Sequence, residues 1–310
     1  MYENALKLIE KYDTIVIHRH TNPDGDAMGS QIGLKHLVLT NYPQKRVYVV
    51  GDPAKRYAFM EDSVMDEVPD EVYNGALAIV LDSATPELVC DKRFTLAKET
   101  LRFDHHIFVA EFCNHEIVDT SFESCAGLVA HFAEQCGWKF SPLAAKSLFT
   151  GMVTDSGRFR YDCTTAQTLR IAANLLDAGV DLNEVYGPLY ADDFDMIKLR
   201  AQFVLSVQFT EHNVAYIYTD KARVEELGVD TFTISRGMVG VMSDIRGVDN
   251  WVNFTETDKG VLCELRSKKY NINPIATKYG GGGHAKASGA TVPDKATAMA
   301  MLADLDEMCK

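Results

Sequence analysis

The feature that most restricts this chain is a set of short, almost wholly apolar runs separated by turns and helical stretches. "TIVIH" (14–18), "RVYVV" (46–50), "ALAIVLD" (76–82) and the start of "TLRFDHH" (100–106) are too short for core helices. Runs of this kind fit strands covered on both faces, as in a parallel sheet. Between the first two lies "AMGSQIGLKHLVLTN" (27–41), a helical pattern whose Gly29 and Gly33 allow close packing on a sheet. "EIVD" (116–119) reads as a weaker strand, and helical patterns follow at 124–137, 141–155 and 164–178. The N-terminal "MYENALKLIEKYD" has the pattern of an amphipathic helix, not of a signal peptide. Alternating β and α elements with short connections imply an α/β domain, a mostly parallel sheet flanked by helices. Ligands then belong at the carboxyl ends of its strands.

A length of 310 residues exceeds one typical core and implies two domains. From 183 to 208 the pattern is helical and charged, after which strands resume with "VAYIYTD" (214–220), a short helix at 221–228, "WVNFTET" (251–257) and "GVLCELRS" (260–267). The last two are joined by "DKG" and read as a hairpin. A glycine-rich loop (280–290) and a helix at 294–308 close a smaller α/β domain. The expected division is 1–190, a helical linker at 191–211, and 212–310. No run approaches the length of a membrane span. Seven scattered cysteines, odd in number and never spaced Cys-x-x-Cys, argue against a disulfide framework and for a cytoplasmic protein.

Four stretches carry residues suited to metal binding: "HTNPDGD" with His20, Asp24 and Asp26; "LDSAT" with Asp82; "DHH" with Asp104, His105 and His106; and "TDSGRF" with Asp155. Each has an ordinary reading. "PDGD" is a turn signature, and an aspartate ending a strand usually caps a helix. Their weight lies in the coincidence, because three of them follow strands of one inferred sheet and converge on one edge. Imidazole and carboxylate without thiolate suit Mn²⁺, Mg²⁺ or Co²⁺ better than structural zinc. The other histidines fall outside these motifs.

Taken together, "HTNPDGDAMGS", "LDSAT", "DHH" and "TDSGRF" resemble the motifs of the DHH phosphoesterase superfamily, and "GGGGHAKASGA" (280–290) resembles the signature of its associated C-terminal domain. The compact two-domain form is similar to the nanoRNase and pAp-phosphatase group and to related cyclic-dinucleotide phosphodiesterases. The resemblance implies a catalytic first domain with two divalent ions, Mn²⁺ foremost, and a second domain that binds substrate. It assigns one ion to His20, Asp24 and Asp82 and the other to Asp26, Asp82, His105 and Asp155, with Asp82 bridging. It sets His106 over the substrate phosphate and gives Asp104 the task of orienting a histidine. Ser156 stands where threonine is common, and Cys125 where serine or threonine is expected.

The glycine run reads either as a flexible loop or as a phosphate cradle. From Arg266 to Lys286 there are five Lys or Arg residues and His284 but no acid, in a chain of net charge −13. That local reversal, with the resemblance, favours a cradle of Arg266, Ser267, Gly281, Gly282, Gly283 and His284. The expected activity is metal-assisted hydrolysis of short oligonucleotides, linear dinucleotides or 3′-phosphoadenosine 5′-phosphate, with the cleft between domains setting substrate size. The rivals are a cyclic-dinucleotide phosphodiesterase, an inorganic pyrophosphatase or exopolyphosphatase, and a non-catalytic nucleotide-binding regulator. With 31 basic residues against 44 acidic ones, binding of long DNA or of a membrane is not expected. A homodimer is left open.

Overall fold

A computed structural model describes residues 2–310, which divide after Ala191 into two compact units. The first unit begins with α1 (Tyr2–Lys11), β1 (Thr14–His18), α2 (Gly25–Asn41), β2 (Arg46–Val49), β3 (Leu77–Leu81), β4 (Glu99–Asp104) and β5 (His115–Val118). Helices α3 (Cys125–Gln135), α4 (Pro142–Asp155), α5 (Ala166–Asp177) and α6 (Leu182–Tyr190) complete it. The five strands pair in the order β2-β1-β3-β4-β5, all parallel, with Ile15 opposite both Val47 and Leu77. Every residue of β1 and β3 is buried, as continuous apolar runs in a two-sided sheet require. Because β2 and β3 lie on opposite sides of β1, the strand order reverses there. The crevice at the carboxyl ends of β1 and β3 is the place where such sheets bind ligands.

The core joins Ile15, Ile17, Leu77, Ile79 and Phe103 of the sheet to Leu34 and Leu37 of α2, Leu128 and Phe132 of α3, and Leu148 and Met152 of α4. Helices α2 and α4 approach closely because glycine faces backbone. A Cβ on Gly29 would stand 2.5 Å from the Ser147 carbonyl oxygen, and one on Gly151 would stand 2.6 Å from the Ala126 Cβ and 3.0 Å from Asp26 Oδ1. This approach carries the end of α4 to the start of α2.

The second unit contains α7 (Phe194–Leu205), β6 (Gln208–Phe209), β7 (Ala215–Thr219), α8 (Lys221–Leu227), β8 (Asn250–Thr257) and β9 (Gly260–Ser267). It ends with α9 (Asn273–Lys278), β10 (Gly282–Gly283), β11 (Ala287–Val292) and α10 (Lys295–Glu307). Its mixed sheet has the order β10-β11-β9-β8-β7-β6, with β7 and β8 the parallel pair and the other pairs antiparallel. Val261, Cys263 and Leu265 alternate inward from β9 onto Ile275, Met301 and Leu305. The region 191–211 is not a bare connection: Leu199 and Phe203 of α7 are buried with Ala215, Ile217 and Trp251 on another core of this unit. Part of the glycine-rich stretch differs from the loop expected of it. Gly282 and Gly283 pair with Gly289 and Ser288, and β11 pairs along β9, so the segment is a hairpin. Small residues let it do this, since a Cβ on Gly281 would lie 2.1 Å from the Gly289 carbonyl oxygen. Among the described residues, no helix is long and apolar enough to cross a membrane.

Candidate metal centre

The loop after β1 is pinned from both ends. Cys90 donates its backbone N–H to the Arg19 carbonyl at 2.9 Å, and Thr21 donates to that of Leu88 at 2.8 Å. Within the loop, His20 Nδ1–H donates to the Thr21 carbonyl at 2.8 Å, which leaves Nε2 facing Asp82 Oδ2 at 3.4 Å and Asp24 Oδ1 at 3.7 Å. Asp24 caps α2, its Oδ1 accepting from Asp26 N and Ala27 N, both at 3.0 Å. Two residues further on, Asp26 is fully buried. Its two oxygens accept from Cys125 N at 2.7 Å and Ala126 N at 2.8 Å, so the N-terminus of α3 is aimed at this carboxylate. Cys125 therefore contributes through its backbone, while its Sγ turns to the Phe103 carbonyl at 3.4 Å.

Asp82 follows β3 with a left-handed φ of 52° and donates its backbone N–H to the Phe103 carbonyl at 3.0 Å. That backbone state suits few residues other than glycine, asparagine and aspartate. It sends one oxygen, Oδ2, toward His20 and the other, Oδ1, to 3.5 Å from His105 Nε2. Oδ1 is buried and has no hydrogen-bond partner among the described residues. His105 Nε2 also lies 3.6 Å from Asp26 Oδ2 and 3.5 Å from Asp155 Oδ2. Asp155 is the last residue of α4.

His106 is tied differently. Its Nδ1–H donates to Asp104 Oδ1 at 2.8 Å, and Asp104 Oδ2 accepts from Arg102 Nη2 at 2.8 Å. Arg102 and Asp104 are wholly buried. Arg102 also donates to the Ala110 carbonyl at 3.1 Å, so one guanidinium fixes both the Asp104 carboxylate that holds His106 and the returning loop. Sequence reading passed over Arg102. Its only signal was its place two residues before Asp104, on the same side of the strand.

Three groups of ligand atoms lie within 4.8 Å of one another: His20, Asp24 and Asp82; Asp26, His105 and Asp155; and Asp82, His105 and His106. The electrostatics fit a centre that needs positive charge. Burial together with Asp82 and Asp155 pushes the Asp26 carboxyl well above the usual carboxylate range. Burial also lifts Asp155 to about 6. Burial pulls His20 down, but Asp24 and Asp82 outweigh it and raise it to about 11. Desolvation of His105 is likewise overcome by Asp82, Asp26 and Asp155, which raise it to about 10. For Asp82 burial works upward, yet His105 and His20 hold the carboxyl below its ordinary value. Clustered carboxylates that recruit protons and imidazolium charge are suited to divalent cations. An orphaned buried oxygen on Asp82 and an all-imidazole and carboxylate donor set fit two such ions.

In the second unit, Arg266 pairs in register with Ala287, and Ser267 donates its backbone N–H to the Lys286 carbonyl at 3.0 Å. The end of β9 and the turn holding Gly283 and His284 thus lie side by side. His284 is exposed, and its backbone N–H donates to the Ala287 carbonyl at 2.8 Å. Arg266 is partly neutralised, with Nη1 and Nη2 each 3.3 Å from Glu264 Oε2. Ser267 Oγ is engaged by the N–H groups of Lys269 and Tyr270 at 3.1 and 2.7 Å. Lys278 pairs with Asp304, so it does not add to a free basic face.

Comparison with known proteins shows the family of the chain. Residues 14–152 match the DHH family N-terminal domain, and residues 220–310 match the DHHA1 domain. The chain is 35% identical to the bifunctional oligoribonuclease and PAP phosphatase NrnA of Bacillus subtilis, over 100% of this chain and 99% of that protein. It is 34% identical to the bifunctional oligoribonuclease and PAP phosphatase NrnA of Mycoplasma pneumoniae, over 94% of this chain and 91% of the relative. The fold matches that of an exopolyphosphatase-related protein from Bacteroides fragilis with a TM-score of 0.85, 24% identity, and coverage of 99% and 95% of the two chains. With full-length identity of this order and both domain types in their expected places, the chain belongs to the DHH family.

Proposed function

We propose that this protein is a two-metal phosphoesterase that hydrolyses short oligonucleotides and 3′-phosphoadenosine 5′-phosphate, the activities named for its NrnA relatives. The observation that carries the reading is Asp82, whose two oxygens face two different histidine-containing ligand groups. His20, Asp24 and Asp82 would hold one cation, and Asp26, Asp82, His105 and Asp155 the other, with Mn²⁺ the ion best suited to this mixed set. Such a pair of ions supplies Lewis acidity at the phosphoryl oxygens and a water of lowered pKa.

The remaining tasks fall to the chain's own groups. Asp104, itself fixed by Arg102, receives the His106 Nδ1–H and leaves Nε2 to meet the substrate. Hydrogen bonding to Asp104 raises the His106 pKa, against the effect of burial, which keeps a proton available for a phosphoryl or leaving oxygen. In the second unit, Arg266 and His284 would grip the nucleotide, and the glycines of the hairpin would allow its backbone to approach the ligand.

The test is hydrolysis with Mn²⁺ of a panel containing 3′-phosphoadenosine 5′-phosphate, 5′-phosphorylated dinucleotides, cyclic dinucleotides and pyrophosphate. The first two should be cleaved best. Asp82→Asn keeps a residue tolerant of the left-handed backbone, and should lower kcat by about a thousandfold or more while reducing Mn²⁺ retention. Turnover of pyrophosphate alone, or near-normal activity of Asp82→Asn in excess Mn²⁺, would overturn the assignment.

A further inference from the structure

A group of side chains in the first unit stands beside the proposed metal ligands and takes no part in the reading above. Two residues after Asp155 begins a run of three left-handed residues: Gly157 (φ 57°), Arg158 (φ 65°) and Phe159 (φ 61°). The run is over-determined locally. Arg158 donates its backbone N–H to the Val153 carbonyl at 2.8 Å, Phe159 donates to the buried Ser156 Oγ at 2.9 Å, and the Phe159 ring packs on Phe149 at 5.7 Å. Arg158 itself is exposed, so the backbone run and not burial sets where its side chain starts. Two successive non-glycine residues in this region are retained where surrounding structure fixes them, and such sites cluster at ligand clamps.

What the run presents is the Arg158 guanidinium, which lies 4.6 Å over the centre of the Tyr190 ring. Against the upward effect of burial, both Arg158 and Arg56 pull the Tyr190 phenol down. Arg56 sits 5.8 Å over Tyr57, which is buried with Met28 and Ile32 of α2, the helix that Gly25 begins. Gly25 is also where α4 ends: a Cβ there would be 2.5 Å from the Thr154 side chain. The two arginines therefore flank the corner shared by Asp24 and Asp155. Neither has an acidic partner among the described residues, although this corner is rich in carboxylates. Stacking on a tyrosine face leaves the in-plane N–H groups of a guanidinium directed outward, in the fork that matches phosphate.

We propose that Arg158, stacked on Tyr190, and Arg56, stacked on Tyr57, form an anion subsite for the non-scissile phosphate of the nucleotide substrate. The inference rests on the phosphoesterase reading for the identity of its ligand. It adds a specificity element to the first unit, distinct from the metal ligands and from the glycine hairpin.

The experiment compares two substrates that differ only in that phosphate, 5′-phosphorylated diadenylate and unphosphorylated ApA, with Mn²⁺. The wild type should prefer the phosphorylated form in kcat/KM by tenfold or more. Arg158→Asn removes the guanidinium with a residue that accepts the left-handed backbone, and it should reduce the preference about tenfold, mainly through KM. Arg56→Ala should reduce it in the same direction, and Arg158→Lys should restore part of it. A preference unchanged in both Arg158→Asn and Arg56→Ala, or no preference in the wild type, overturns the subsite. If Arg158→Asn melts below the assay temperature, Arg56→Ala decides the question. A second arm measures equilibrium binding of adenosine 3′,5′-bisphosphate without metal, expected to weaken about tenfold in Arg158→Asn. Binding that depends on Arg158 in a protein that cleaves neither dinucleotide nor 3′-phosphoadenosine 5′-phosphate would defeat the phosphoesterase reading and keep the subsite. Cleavage with a preference and a binding constant indifferent to both arginines would do the reverse.

Discussion

Asp155 shows what the centre costs the fold. It shares His105 with Asp26 and Asp82, and burial lifts its carboxyl to about 6, above the ordinary aspartate value. Ionised at neutral pH, it works against folding until positive charge arrives. Asp155→Asn should therefore raise the melting temperature of the metal-free protein by roughly 2–6 °C. It should also abolish most of the further rise that Mn²⁺ gives the wild type. A variant that melts lower without metal, or that responds to Mn²⁺ as the wild type does, would refute this balance. Residues of this kind were legible in the sequence because their types are restricted and their motifs are compact. The backbone N–H groups of Cys125 and Ala126 that hold Asp26 were not legible, since any non-proline residue supplies the same donor. Arg102 was hidden for another reason. A charged residue in a strand is ordinarily read as solvent-facing, and only the fold shows that it is wholly buried on Asp104.

At the level of elements, the centre depends on how closely α2 and α4 meet, because α2 carries Asp26 and α4 ends in Asp155. Gly29 faces the Ser147 carbonyl, a backbone atom that cannot rotate away. Gly29→Ala should push the helices apart and destabilise the protein by about 1–3 kcal/mol, despite the better helix propensity of alanine. Weaker Mn²⁺ retention should accompany a loss of thermal stability. Unchanged melting would mean that the helix pair can relax at little cost. The strands and helices of the first unit were readable because continuous apolar runs and helical periodicity agree along that half. The second unit was less so. Strand β11 is "ASGATV", whose small residues carry little strand signal, and it exists because β9 offers Val261 to Arg266 as pairing partners. The helical turns near Thr233–Gly237 and Gly240–Met242 likewise lie where the sequence showed no clear period.

For the whole molecule, charge sets the scale of the substrate. Net charge is −13, and inside the basic segment Arg266 and Lys278 are already paired with Glu264 and Asp304. A surface of this kind cannot neutralise many phosphates in succession, and affinity for long strands falls steeply with salt. The expected outcome is a kcat/KM highest on substrates of two to about five nucleotides, with weak salt dependence. Processive digestion of a long single strand at the same rate per nucleotide would contradict it. The two ligand groups described above also differ in exposure: the Asp24 side chain is 55% exposed, that of Asp26 1%. Translated into kinetics, the pair of ions should not behave as a pair. An ion held by His20 and Asp24 would have water at its door and should exchange within ordinary handling. An ion held by Asp26, His105 and Asp155 would rest on the buried Asp26 where α2 and α4 meet, with the Asp155 side chain 33% exposed, and should leave more slowly. Dilution into a chelator should then remove metal in two phases of similar amplitude, with activity lost in the first and thermal stability in the second. Enzyme purified without added metal would thus be half-loaded, inactive and stable, restored by one equivalent of Mn²⁺ instead of two.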